Sequence, residues 1–282
     1  MSEQQYQTID AGGELRVFAC KPRTMPVGDS RCCSGVVGIG GAPALIKRKD
    51  WPKCVDLSVG VTEILNQKST SLCHSFAGTQ VNEVAHHLAG RKDIQLSAGE
   101  LAGQVTGYQN EGAGVDKVLA VLLESGQCRR ATVGQFEYDR RPSAEAQKEA
   151  LEYRLLDAWD CGHDNVFDAA VSNLISSNPV EIGTYAFGGG HAVAKLGYWL
   201  GRRGVYSFGA NSWGDWTNWT DDLLDEFASL CPDADHSHLL KVKGTGYWVF
   251  SENQISNGLP MFGAFGVQST VANPDDALPE VV

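Results

Sequence analysis

VTEILNQKSTSLCHSFAGTQVNEVAHHLAG, residues 61–90, is the stretch whose reading decides the fold. In its second half Ala77, Val81, Val84, Ala85 and Leu88 recur at helical spacing, and Gly90 follows as a natural stop. The spacing predicts a helix whose N-terminus lies at or beside Cys73. A thiol attacks a carbonyl only as thiolate, and the unpaired N–H groups and dipole of a helix start favour that negative charge. Such a nucleophile also needs an imidazole close by, held in turn by a group that accepts a hydrogen bond from its other ring nitrogen.

Two later segments carry residues of those types. GGHAV, residues 189–193, puts His191 at the head of the strand-like run HAVAKLGYWL, and RGVYSFGANSW brings Asn211 to the end of the next run. A hairpin through residues 201–204 joins the two, so adjacent antiparallel strands would make His191 and Asn211 neighbours. Further helical patterns lie around the thiol segment. Ser97 and Glu100 form a capping signature. Val115, Val118, Leu119 and Leu122 mark a helix that ends near Gly126, Leu151, Leu155 and Trp159 suggest another, and Phe167, Ala170, Val171, Leu174 and Ile175 close before Pro179. An insertion at about 216–243 holds its own helix, capped by Thr220, before GTGYWVFS returns to strand. Helices grouped first and strands grouped later argue for an α+β protein of two lobes.

Taken in order, these segments resemble the papain-like cysteine peptidase family. Gln67 stands six residues before Cys73, where the family keeps its oxyanion-hole glutamine; GGHAV and NSWG, residues 211–214, are similar to its histidine and asparagine segments. Asp50-Trp51, LSAGEL and GYWVF also match in type, so the resemblance covers roughly residues 50–255. It implies a helical lobe and an antiparallel β-sheet lobe with the active-site cleft between them. It also implies a catalytic set of Cys73, His191, Asn211 and Gln67, Trp213 over the His191–Asn211 hydrogen bond, and Gly112, Ala113 and Gly114 presenting backbone to an extended peptide. There are departures. Thr70 replaces the cysteine that normally forms a disulfide three positions before the nucleophile, His74 replaces an aromatic residue, and residues 1–50 hold no counterpart of the family's long helical propeptide.

Composition sets the bounds of this reading. The 282 residues suffice for one large domain or two packed lobes, and 43% hydrophobic with 20% charged residues is ordinary for a globular chain. Thirty-four acidic against 23 basic side chains, a formal charge of −11, repel nucleic-acid phosphates and anionic membrane surfaces. The N-terminus shows no export signal and no stretch approaches a membrane span, so a cytoplasmic protein is expected. The eight cysteines show neither zinc-finger pairs nor a disulfide-scaffold density, and most are expected as buried thiols that leave the fold indifferent to reductant. GVVGIGGAP, residues 35–43, lacks the Lys-Ser/Thr of a phosphate loop. His86 and His87 are read as a solvated helix end, and Cys231, Asp233, Asp235, His236 and His238 as a polar loop, with no metal and no cofactor expected.

The expected organisation is an irregular N-terminal extension over 1–50, a papain-like domain over 51–262 and a tail over 263–282. The expected function is a cysteine-type peptidase that hydrolyses peptide or protein substrates through a thioester acyl-enzyme. Without a propeptide, residues 1–50 are expected to pack against the cleft or against a partner. The alternative is an inactive papain-like protein serving as a structural or binding component of a larger assembly, such as a virus particle.

Overall fold

In the computed structural model, residues 7–11, 14–24, 43–162, 165–232, 246–256 and 258–269 are described. The chain opens with a hairpin, β1 (Gln7–Ala11) and β2 (Glu14–Phe18), in antiparallel register. Residues 19–24 follow without regular structure. After the short β3 (Cys54–Asp56), α1 (Cys73–Leu88) starts on the thiol segment. It is buried from Cys73 to His86, because it packs between α2 (Ala98–Thr106) and α3 (Val115–Glu124) on one side and the sheet on the other. Ser97 caps α2 as its spacing predicts, its hydroxyl accepting from the Glu100 N–H at 3.1 Å, and Gly107 ends that helix at φ 67°.

The second half builds the sheet. Beyond α4 (Ala144–Ala150) come β4 (Asp157–Asp160), α5 (Val166–Ile175), β5 (Val180–Thr184), β6 (His191–Gly201) and β7 (Gly204–Ala210). Then follow α6 (Asp221–Leu230), β8 (Tyr247–Ser251), α7 (Glu252–Ser256), α8 (Leu259–Phe262) and β9 (Ala264–Gln268). The strand order is β4-β9-β5-β6-β7-β8, every pairing antiparallel, with β3 added alongside β6. A bulge between Lys195 and Gly197 bends β6, which pairs with β5 before it and with β3 beyond it. The fold is thus α+β, with a helical layer against an antiparallel sheet.

Several sequence expectations change. Leu155 and Trp159 do not continue a helix: the chain leaves a short 3-10 turn at Leu151–Tyr153, and Trp159 lies in β4, where pairing with β9 outweighs the weak periodicity. Ala264–Gln268, assigned to the tail, is a buried strand between β4 and β5. His86 is not solvated: it is 1% exposed, Ser269 Oγ lies 2.9 Å from its Nδ1, and burial pushes it down to about 4. A disulfide joins Cys54 of β3 to Cys231 at the end of α6, with Cα atoms 6.0 Å apart, so indifference to reductant is not expected of this fold. Cys32, Cys33, Asp233, Asp235, His236, His238, most of GVVGIGGAP and the end of the tail lie outside the described residues.

Candidate active site

Cys73 is the first residue of α1, whose N-cap, Leu72, offers no side-chain acceptor. The Ser75 and Phe76 N–H groups both donate to Leu72 O, at 3.0 and 3.1 Å, so those of Cys73 and His74 are the donors of that turn left for a sulfur or an oxyanion. Complete burial pushes the thiol up to about 11, outweighing the nearby backbone N–H groups of Ala192, Ala19 and His74, each of which favours the thiolate.

His191 opens β6 and Asn211 follows the last residue of β7; with Ala194 opposite Ala210, the head of one strand lies beside the end of the other. His191 Nε2 stands 3.0 Å from Asn211 Oδ1. The amide oxygen accepts, so Nε2 carries the proton and Nδ1 presents a lone pair; Nδ1 has no hydrogen-bond partner among the described residues. Trp213 lies across the imidazole at 4.5 Å and 36°, and Phe187 meets it edge-on at 5.0 Å. These rings keep water from the His191–Asn211 bond. Burial pushes the imidazole down to about 4, against the upward effect of Asn211. The sequence leads one to expect a helix start that favours the thiolate; in this closed cleft desolvation keeps the thiol protonated and the imidazole neutral.

Gln67 is fully buried and fixed from two sides, its Oε1 accepting from Ser212 Oγ at 2.5 Å and its Nε2 donating to Thr70 O at 2.9 Å. Its backbone N–H donates to Ser212 O at 2.8 Å, which ties the segment before Cys73 to the one after Asn211. All four residues of the catalytic set expected from sequence therefore come together, with Trp213 beside them.

What closes the site is the chain's own residues 16–24, termed here the strap. Arg16 donates to Asn66 Oδ1 at 2.8 Å and to Trp213 O at 3.4 Å, and Val17 O faces Gln67 Nε2 at 3.5 Å. Phe18 packs edge-on against His191 and Trp213, at 6.1 and 5.6 Å. Next, Cys20 N–H donates to Gly190 O at 2.9 Å and Lys21 N–H to Ala113 O at 3.1 Å, so the strap pairs with both walls of the cleft. Arg23 makes a two-pronged ion pair with buried Asp160, and Thr24 gives both its N–H and its hydroxyl to Asp116 Oδ2. A Cβ on Gly112 would collide with Ala19 O, and one on Gly190 with Cys20 O; only glycine permits this backbone approach. Gly112, Ala113 and Gly114, expected to hold an extended peptide, thus hold an extended segment of this chain.

Sequence reasoning did not single out the strap's residues. Its one local signal is the short apolar run VFAC, residues 17–20, within an otherwise irregular region. Nor did it find Glu181, a fully buried carboxyl of β5 with no hydrogen-bond partner among the described residues, held well above the usual carboxylate range by burial and by Asp116. Among the described residues no group of three His, Cys, Asp or Glu side chains could hold a metal ion, and no helix is long and apolar enough to cross a membrane.

No protein-family model matches the chain, and no curated protein sequence does. Solved structures do. Xylellain, a cysteine protease from Xylella fastidiosa, superposes with a TM-score of 0.64 at 14% identity, over 96% of this chain and all of that one. A digestive procathepsin L 3 of Tenebrio molitor gives 0.58 at 17% identity over 86% and 75% of the two chains, and bromelain from Ananas comosus 0.57 at 15% over 78% and 100%. The chain has the papain-like fold. Within that fold the cleft between the helical layer and the sheet is the place where α1, β6 and β7 deliver Cys73, His191 and Asn211, and where the strap lies.

Proposed function

We propose that the chain is a cysteine-type peptidase held latent by its own strap. The observation that carries this reading is the His191 Nε2–Asn211 Oδ1 bond at 3.0 Å beneath Trp213, which leaves Nδ1 with its lone pair in the cleft that contains Cys73. With the strap displaced, water reaches the cleft and the desolvation that keeps thiol and imidazole neutral is relieved. Proton transfer from Cys73 to His191 Nδ1 then gives a thiolate at a helix N-terminus facing an imidazolium.

Thiolate attack on a peptide carbonyl puts negative charge on its oxygen, which the Cys73 N–H and Gln67 Nε2 would stabilise; in the closed state that amide faces a strap carbonyl, Val17 O. His191 passes its proton to the leaving amine, a thioester to Cys73 remains, and water activated by the same imidazole releases the acid. Asn211 fixes the ring through both transfers.

On this reading, substrate lays its acyl half along Gly112–Gly114 and its leaving half toward Trp213. The strap runs the other way, from Arg16 at Trp213 to Lys21 at Ala113. A reversed chain fills the cleft without presenting a carbonyl carbon in the attacking line, so it blocks the site and survives there.

The second reading is a papain-like protein without turnover, built into a larger assembly, and what favours it is the complete burial of Cys73 and His191. Alkylation of Cys73 by iodoacetamide, followed from about pH 5 to 9 in wild type, His191→Ala and Asn211→Ala, separates the two. Coupled groups give wild type an appreciable rate at pH 6, His191→Ala a profile moved up toward about 8.5, and Asn211→Ala a smaller move. Identical profiles for wild type and His191→Ala, together with no hydrolysis of a peptide mixture, would end the peptidase reading.

A further inference from the structure

The strap carries a second thiol to the first. The Ala19 N–H reaches the Cys73 sulfur, so Cys20 is the next residue along, pinned by its own N–H to Gly190 O and by that of Lys21 to Ala113 O. The Cys20 sulfur lies 3.2 Å from the point where a Cβ on Gly183 would sit. Gly183 pairs across β5 and β6 with Ala192, and the Ala192 N–H is another of the donors to Cys73. Both sulfurs therefore rest on one cross-strand residue pair, whose Cα atoms are about 5 Å apart. Burial, and after it the nearby Cys73, push the Cys20 thiol up. Both are free, buried thiols in the same apolar cluster, and the disulfide closes as the strap returns to the cleft, before its backbone bonds have re-formed.

We propose that Cys20 and Cys73 form a redox pair, in which a hydroperoxide oxidises Cys73 while the strap is away and the returning Cys20 closes a disulfide that ties the strap into the cleft. In the first step the Cys73 thiolate attacks a peroxide oxygen; an S–O bond forms, the O–O bond breaks, and the leaving alkoxide takes up a proton and departs as alcohol, or as water from hydrogen peroxide. In the second the Cys20 sulfur gives up its proton and attacks the sulfenic sulfur; the S–S bond forms, the S–O bond breaks, and the released hydroxide leaves with that proton as water. Two thiols lose two electrons and two protons, and the peroxide gains them. The disulfide keeps Cys73 from the irreversible sulfinic acid and makes release of the strap depend on a thiol reductant. The pairing rests on the strap's geometry and not on turnover.

The test uses the full chain, equilibrated with a low concentration of thiol reductant and freed of it. It is exposed to hydrogen peroxide, blocked with N-ethylmaleimide, digested without reduction and mapped by mass spectrometry. The expected product is a linked peptide pair containing Cys20 and Cys73 that a reductant separates. In Cys20→Ser the link is absent and sulfinic acid at Cys73 rises by about tenfold; Cys20→Ala should behave alike, which covers a serine variant that folds poorly. The proposal is overturned if wild-type Cys73 reaches sulfinic acid as fast as in the variants. It is equally overturned if Cys73 stays a free thiol, or if Cys20 is recovered as its maleimide adduct or joined to Cys32 or Cys33. Such a failure leaves the peptidase reading standing, because peptide hydrolysis and the alkylation profile judge that separately.

Discussion

Phe18→Ala measures how firmly the strap is held. The ring is 7% exposed and wedged between His191 and Trp213, in the segment that crosses the cleft. Removing it forfeits the burial of one aromatic side chain, about 2 kcal/mol, in the closed state alone. By the tenfold-per-1.4 kcal/mol rule the open population rises about 30-fold. If Cys73 reacts only when the strap is away, and opening and closing are fast relative to alkylation, the observed rate is the open fraction multiplied by the intrinsic rate. Iodoacetamide labelling of Cys73 should then accelerate about 30-fold, while buried Cys128, packed with Val133, Ala146 and Ala150 in a cluster that holds no strap residue, keeps its wild-type rate. An unchanged Cys73 rate in a folded variant would refute the reasoning, since it would mean that the strap does not control access. Equal acceleration at Cys73 and Cys128 would refute it in another way, by showing that general loosening and not strap release exposes the nucleophile.

Two other perturbations test the fold beneath the site. Reduction of Cys54–Cys231, which closes a loop of 177 residues, should lower the melting temperature by about 5 to 15 °C, the effect of roughly 2–5 kcal/mol in a chain of this size; an unchanged melt would remove that bond from the stability account. Glu83, buried in α1 with its carboxylate accepting from the Leu96 N–H at 2.8 Å, is pushed up by burial from 4.5 to about 8. The folded chain therefore keeps a proton that the unfolded chain has lost. Its contribution is fully present below pH 4.5 and is lost as pH rises to about 8. Melts of Glu83→Gln and wild type should diverge between those limits, the variant gaining up to about 1.4 kcal/mol per pH unit, and a constant gap would show that Glu83 ionises in the folded chain as it does in the unfolded one.

The residues of the candidate site were legible because each sits where a local pattern begins or ends. Cys73 heads a helix whose apolar face runs from Ala77 to Leu88, His191 follows three glycines at the head of a strand, and Asn211 ends the strand joined to it by a tight hairpin. Periodicity and the flanking glycines mark such ends, and chain order supplies the rest. Trp159 and Ala264–Gln268 were misread for the opposite reason: β4 and β9 are short and gain their order from pairing with each other across more than a hundred residues. The Cys54–Cys231 bond is likewise a property of the folded topology, with no local signal on either side. The strap belongs to this second class. Its hydrogen bonds go to Gly190, Ala113, Asn66 and Asp116, all far along the chain, so nothing in LRVFAC announces a partner. On the proposed reading the strap helps to set which protonation state the site holds. Burial, to which the strap, Trp213 and Phe187 contribute, leaves the thiol at about 11 and the imidazole at about 4, overriding the helix N-terminus and the Asn211 bond that favour a charged pair. Chemistry built from element ends can be read from a sequence; control built from non-local backbone pairing has to be seen in the fold.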